Sequence, residues 1–341
     1  MVTDDLVNVG IIVNPKHART TRAYADLVRR LRAQRIRYRS SSTTPQRSGA
    51  WQAGELIGWG ADIVIILGGD GTIRAAAPVL AAAETPVMLV PTGTANVLSR
   101  HVGIRSHRHA IAACARHASD ACVSHAITAC ASRAIAACAQ PGSTREIGVP
   151  INDVEFLDVD GHWQRSHFIC LAGLGGDARA VAEHGRAPGL LGYALGGVRA
   201  VFAPSMDARI DAPTAGVPDT NGAPSPRWSI MASKVARPAG PIPVFPQARI
   251  DADDFSFLSV GPLAEEPGDR LGDWARIAAA CLQGRPGAPA TMNYRTGREL
   301  TIGLDSPEPA HLDGDPIGDC LGMRISAGTT RLRVLVPEAE D

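Results

Sequence analysis

The sequence predicts an α/β first domain built on a parallel sheet, followed by a mostly antiparallel β second domain. Three observations carry this. Over the first hundred residues, apolar runs of strand length alternate with stretches of helical spacing. The runs end in Asn-Pro, Gly-Gly or Pro-Thr-Gly turns, all on the strand edge where such sheets bind ligands. From about residue 150, short β-type runs separated by Gly, Pro and Asp turns take over. The expected division is 1–145, 146–330, and a last strand within 331–341 that returns to the first domain.

Val7 to Val13 reads as a buried strand ending at Asn14-Pro15. Arg22 to Arg32 has helical spacing, with Leu27, Val28 and Leu31 apolar among charges. Ile63 to Leu67 is a β-branched strand, and Ile73-Arg74-Ala75-Ala76-Ala77 opens a helix after it. Pro86 to Val90 is the next strand. Residues 110–141 repeat every eight residues, placing Cys114, Cys122, Cys130 and Cys138 at one repeat position. On a helix successive cysteines would lie about 12 Å apart and rotate about 80°, so one ion cannot gather them. The repeat is read as alanine-rich helix or low-complexity filler.

In the second domain the strand candidates are Asp153–Leu157, Phe168–Leu171, Ser229–Ala232, Phe255–Val260 and Glu299–Ile302. Ala212 to Pro226 is expected as a loop, and Leu332 to Pro337 as the final strand.

The formal net charge of zero gives no global field for nucleic acid. All basic residues except Lys16 and Lys234 are arginine, read as genome composition with some allowance for phosphate or lipid headgroups. No apolar stretch is long enough for a transmembrane helix, and Met1-Val2-Thr3-Asp4-Asp5 is not a secretory signal. Seven cysteines, four of them in the repeat, argue against a disulfide framework and for a reducing cytoplasm.

Leu67-Gly68-Gly69-Asp70-Gly71-Thr72 is the most informative stretch. A strand, a glycine turn and a helix N-terminus together form an anion site. A carboxylate inside such a turn repels phosphate unless a cation or a transferable proton intervenes, so Asp70 suggests metal-assisted phosphoryl transfer.

With four further motifs, this stretch resembles the catalytic-domain family of diacylglycerol kinases, which also holds sphingosine and ceramide kinases. Asn14-Pro15 is similar to the family's opening turn, and Gly68 to Thr72 to its central signature. Pro91-Thr92-Gly93-Thr94-Ala95-Asn96, followed by Leu98 and Arg100, resembles its Pro-x-Gly-Thr-x-Asn element. Ala172 to Ala178 resembles its Gly-x-Gly-x-Asp-Ala stretch, and His311-Leu312-Asp313-Gly314-Asp315 its Asp-Gly-Glu motif with aspartate for glutamate. The glycine signature alone is shared with NAD kinases and phosphofructokinases; the ordered set of five carries the resemblance.

The resemblance implies an ATP- and Mg2+-dependent lipid kinase that phosphorylates a hydroxyl of a diacylglycerol- or sphingoid-like lipid. It implies that Gly68, Gly69, Asp70, Gly71, Thr72 and Thr94 hold the ATP phosphates, while Asn14 and Asn96 contact the nucleotide or simply build the turns. Thr43 resembles a nucleotide contact, with Ser42 and Thr44 as alternatives. Asp315 is implied as the base and Asp313 as its neighbour, with Asp70 as the third catalytic acid. Asp153, with Asp158 as rival, and Asp253-Asp254 are implied metal ligands, although Phe255 stands where the family has glycine. Gly176 before Asp177 replaces a usual aromatic or apolar residue in the lipid-pocket wall. The apolar run Leu190–Leu195 with Val198, Val201 and Phe202 is a lipid-contact candidate that also reads as core. The implied setting is the cytoplasm, with peripheral contact to a membrane bearing the lipid, no nucleic acid, and a homodimer as a further expectation. The alternatives are a NAD kinase-like phosphotransferase on a soluble acceptor and a catalytically weak nucleotide- or lipid-binding regulator.

Overall fold

The apolar run after Val7 forms strand β1 (Asn8–Val13), and the helical spacing that follows forms α1 (Ala18–Ala33), which buries Ala23, Leu27, Val28 and Leu31. A computed structural model of the chain describes residues 7–104, 106–129, 144–186, 201–212, 224–238, 240 and 242–337. The chain divides into two units, residues 1–149 with 330–341 and residues 150–329.

The first unit continues with β2 (Arg37–Ser42), α2 (Ala50–Gly58), β3 (Ile63–Gly68), α3 (Asp70–Ala82) and β4 (Val87–Pro91). After them come α4 (Val97–His101), α5 (His107–Ala129) and β5 (Thr144–Pro150). Strand β16 (Arg331–Pro337) completes its sheet, whose order is β2-β1-β3-β4-β16-β5. The pairs β1/β2, β1/β3, β3/β4 and β4/β16 are parallel. All six residues of β3 are buried, as expected for a central parallel strand covered on both faces. Register sets the carboxyl ends side by side: Val13 faces Ser42 and Leu67, and Gly68 faces Pro91.

Helix α5 takes in the first two octads and the start of the third. Cys114 is buried, and burial pushes its thiol up to about 12, which keeps it protonated and a poor ligand. Cys130 and Cys138 lie outside the described residues.

The second unit is an antiparallel sheet. Its strands are β6 (Asn152–Asp158), β7 (Trp163–Phe168), β8 (Leu171–Gly175), β9 (Met206–Asp211), β10 (Ser225–Arg227) and β11 (Ser229–Ser233). They continue with β12 (Phe255–Val260), β13 (Met292–Gly297), β14 (Glu299–Leu312) and β15 (Asp315–Ser326). The path runs β13-β12-β11-β8-β14-β15-β6-β7, and β9 pairs with β10 and β14. Phe168, Leu174, Ile230, Phe257, Leu312 and Met323 form its main core. Helix α6 (Gly176–Arg186) follows β8. Ile277 of helix α7 (Pro267–Leu282) joins a second core with Trp228, Leu258 and Met292.

Two sequence expectations change. Phe168 to Leu171 is not one strand: the chain bends at Ile169-Cys170, because three N–H groups there donate to the Asp313 carboxylate instead of to a neighbouring strand. The loop expected over Ala212–Pro226 ends earlier, since Ser225–Arg227 pairs with β9; residues 213–223 lie outside the described residues. So do Leu190–Leu195 and Val198, while Phe202 is described and is 46% exposed. No helix among the described residues is long and apolar enough to cross a membrane.

Candidate functional site

In the first sheet the connections change direction between β1 and β3, the place where doubly wound sheets bind ligands beyond the strands' carboxyl ends. Asn14 sits there. Its backbone N–H donates to the Leu67 carbonyl at 2.9 Å, and its Nδ2 donates to Thr72 Oγ1 at 2.9 Å. Its Oδ1 accepts the Lys16 N–H at 3.2 Å, an Asx turn. One side chain thus ties the turn after β1 to the first turn of α3.

The glycine turn abuts the turn after β4. A Cβ on Gly93 would lie 2.4 Å from Gly69 Cα, and one on Gly69 would lie 3.2 Å from Gly93 Cα. The N–H groups of Thr92 and Gly93 donate to the Gly68 carbonyl at 3.1 and 3.3 Å. Asn96 adopts the left-handed conformation (φ 48°). It closes its loop by accepting the Gly93 N–H at 2.9 Å and donating to the Gly93 carbonyl at 2.7 Å.

Asp70 caps the neighbouring helix. Its carboxylate accepts the N–H groups of Val97 and Leu98, at 2.9 and 3.0 Å, which Asn96 leaves without a side-chain cap. Burial raises the pKa of Asp70, opposed by these two amides.

Thr72 is buried, Gly71 is in the same first turn of α3, and Thr94 is exposed. The N-cap Gly69 brings no side chain to the α3 amides, as suits an anion. Thr43 is buried at the end of β2, with its N–H on the Val13 carbonyl at 2.8 Å, while Ser42 and Thr44 are exposed.

The second unit holds the other acids. Asp313 (φ 51°) and Gly314 (φ 84°) form the two-residue turn between β14 and β15, in the left-handed pair of a type I′ hairpin. The Asp313 carboxylate accepts the N–H groups of Ile169, Cys170 and Leu171 at 2.8, 2.7 and 2.9 Å. Asp315, paired across the hairpin with Leu312, is exposed as the first residue of β15.

Sequence reasoning missed His311 and Ser229 and placed Asp177 in the Gly-x-Gly-x-Asp-Ala stretch without a role of its own. His311 is 1% exposed. Its Nδ1 accepts the Gly314 N–H at 3.2 Å, so in the neutral ring Nε2 carries the hydrogen and donates to Asp177 Oδ2 at 2.9 Å. Ser229 Oγ donates to Asp177 Oδ1 at 2.6 Å. The carboxylate lies between serine and histidine, so this is a positioning chain and not a nucleophilic triad. A Cβ on Gly173 would fall 1.8 Å from Asp177 Oδ2, which explains a glycine there. Gly176 is explained by Trp228, whose ring would lie 2.1 Å from a Cβ at that position.

The implied magnesium ligands do not come together. Asp153 lies on β6 and Asp254 just before β12, five strands apart in the sheet order. The Lys234 ammonium already donates to the Ala252 and Asp254 carbonyls beside Asp253. Asp158 is committed to a turn, accepting from the N–H groups of Asp160 and His162 and from Gln164 Nε2. No cluster of three His, Cys, Asp or Glu side chains able to hold a metal exists among the described residues. Among the described residues, side chains alone form no magnesium cage.

No curated protein matches the chain. Among solved structures it is similar to a candidate diacylglycerol kinase from Bacillus anthracis str. Sterne, with 18% identity, 96% of each chain covered and a TM-score of 0.63. A second diacylglycerol kinase from that organism gives 14% identity, 96% of each chain and a TM-score of 0.57. Yeast NADH kinase gives 10% identity, 98% of this chain, 84% of that chain and a TM-score of 0.50. At such identities the likeness shows the fold: an α/β domain with a mostly parallel sheet, joined to an antiparallel one. Residues 8–127 match the model of the diacylglycerol kinase catalytic domain.

Proposed function

We propose that this kinase-like chain transfers the γ-phosphoryl group of ATP to a hydroxyl of a diacylglycerol- or sphingoid-like lipid. The observation that carries the reading is the abutting pair of loops after β3 and β4, beside the α3 N-terminus and tied to β1 through the Asn14–Thr72 hydrogen bond. A Cβ on either glycine would intrude on this backbone surface, and the amides of Gly68–Thr72 are suited to phosphate oxygens.

The proposed roles follow the motifs. Gly68, Gly69, Gly71, Thr72 and Thr94 meet the phosphates. Asn14 and Asn96 shape the loops, Thr43 lies at the rim, and Asp70 holds the two loops together. Asp315 takes the proton of the lipid hydroxyl. The hydroxyl oxygen forms its bond to the γ-phosphorus as the bond to the β–γ bridging oxygen breaks, and ADP leaves with that electron pair. Asp313 and the Asp177–His311 pair hold the turn from which Asp315 projects. The proposed setting is the cytoplasm, with transient contact to the membrane that carries the acceptor.

The test is transfer of labelled phosphate from ATP to a lipid panel and, in parallel, to NAD. Wild type is expected to label a lipid, and Asp315→Asn to lose about 10² to 10⁴ in rate, the usual contribution of a general base. Label on NAD and on no lipid would support the soluble-acceptor reading instead. ATP binding without any transfer would support the regulator.

A further inference from the structure

The chain is neutral overall, yet residues 16–59 hold ten basic and two acidic residues. Nine arginines fall within residues 18–47, about three times their density in the whole chain, so genome composition does not account for them.

The fold brings Arg32, Arg35, Arg37, Arg39 and Arg47 to one edge. β2 is the outermost described strand of its sheet and follows α1 directly. Its side chains alternate between two faces. On the α2 side, the Arg37 guanidinium stacks 5.5 Å from the Trp59 ring and Arg39 pairs with Glu55 at 2.8 Å. On the α1 side, Arg32 lies 6.0 Å from the Tyr38 ring and donates to its hydroxyl at 2.8 Å. At the carboxyl end, Arg47 covers Trp51 at 4.3 Å, leaving that indole 49% exposed. The two acids are already engaged, Asp26 by Arg29 and Arg30, and Glu55 by Arg39 and Ser41. Of the residues at this edge, Arg32, Arg35 and Arg37 pair with no acid among the described residues.

We propose that this edge, formed by β2 with the adjoining faces of α1 and α2, docks on the anionic surface of a lipid bilayer. The charge fits acidic headgroups, each basic residue near such a surface adding about fivefold to binding. The aromatic partners favour a bilayer over a nucleic acid. Arg37 and Arg47 cover one face of Trp59 and of Trp51, blocking that face to base stacking, while rings with polar tips suit the headgroup zone. The inference rests on the membrane contact proposed above and places it on this edge; it is read without nucleotide or acceptor, so its failure is distinguishable from failure of the kinase reading.

The test is co-sedimentation of the full chain with vesicles, either phosphatidylcholine alone or phosphatidylcholine with equal phosphatidylglycerol. Binding is expected only to the mixed vesicles, weakening as salt screens it. The triple change Arg32→Gln, Arg35→Gln, Arg37→Gln should weaken it on the order of 100-fold. The corresponding lysine triple should stay within a few-fold of wild type. A control triple, Arg249→Gln, Arg285→Gln, Arg298→Gln, should leave it unchanged. If the glutamine triple fails to fold, Arg35→Gln alone should give about a fivefold loss. The proposal is overturned by absent binding to mixed vesicles, by an equal loss in the control, or by binding to homopolymeric RNA in place of vesicles.

Discussion

Asp70 ionises at a higher pH in the folded chain than in the unfolded one, because burial outweighs the Val97 and Leu98 amides. The folded state therefore holds this proton more tightly. Stability from the protonated group is complete below the ordinary aspartate value, about 4, and is lost as pH rises through the folded value. Asp70→Asn removes the titration. The melting temperature of wild type should fall relative to that of Asp70→Asn as pH rises from about 4 toward neutrality. A difference between the two that stays constant with pH would contradict this. Asp313 behaves differently: three backbone N–H groups depend on its carboxylate. Removing it in Asp313→Ala leaves them without that acceptor and should cost on the order of 3 kcal/mol, read by denaturant unfolding, with Asp313→Asn losing less.

At the scale of elements, strands β1, β3 and β4 are legible in the sequence because burial on both faces demands continuous apolar runs. The Asp-Gly turn at 313–314 is legible from its local chemistry. Its purpose is not, because the amides that Asp313 engages lie 142 to 144 residues away. His311 carries no pattern either, being one histidine in a long strand whose meaning comes from Asp177 on another element. The break between β7 and β8 is hidden for the same reason: Phe168 to Leu171 is locally a strand, and a distant carboxylate bends it. The loop contact at Gly69 and Gly93 also needs tertiary structure to be seen. Gly93→Ala should force the two turns apart and, by displacing the proposed phosphate loop, weaken ATP binding roughly 10²-fold in calorimetry. Gly176→Leu should displace Trp228 and cost about 1–3 kcal/mol, visible as a change in tryptophan emission.

At the scale of the molecule, the chain leaves the first unit at Val149 and re-enters it at Thr330. The consequence is an asymmetry between the units. Residues 150–329 are contiguous and contain every strand of their own sheet. The first unit needs β16, which lies between β4 and β5 and buries Leu332, Val334 and Val336. Without β16, β5 has no neighbour in the order and the side of β4 away from β3 becomes an open edge, prone to pairing with other chains. Burying three branched aliphatic side chains is worth about 1.5–3 kcal/mol each, a large share of an ordinary domain's stability. A fragment of residues 1–149 should therefore aggregate or unfold without a cooperative transition, while a fragment of residues 150–329 should melt cooperatively. Joining residues 330–341 to the end of the first fragment through a flexible linker should restore a single sharp transition. Cooperative melting of the bare 1–149 fragment would show that β16 is dispensable to the sheet.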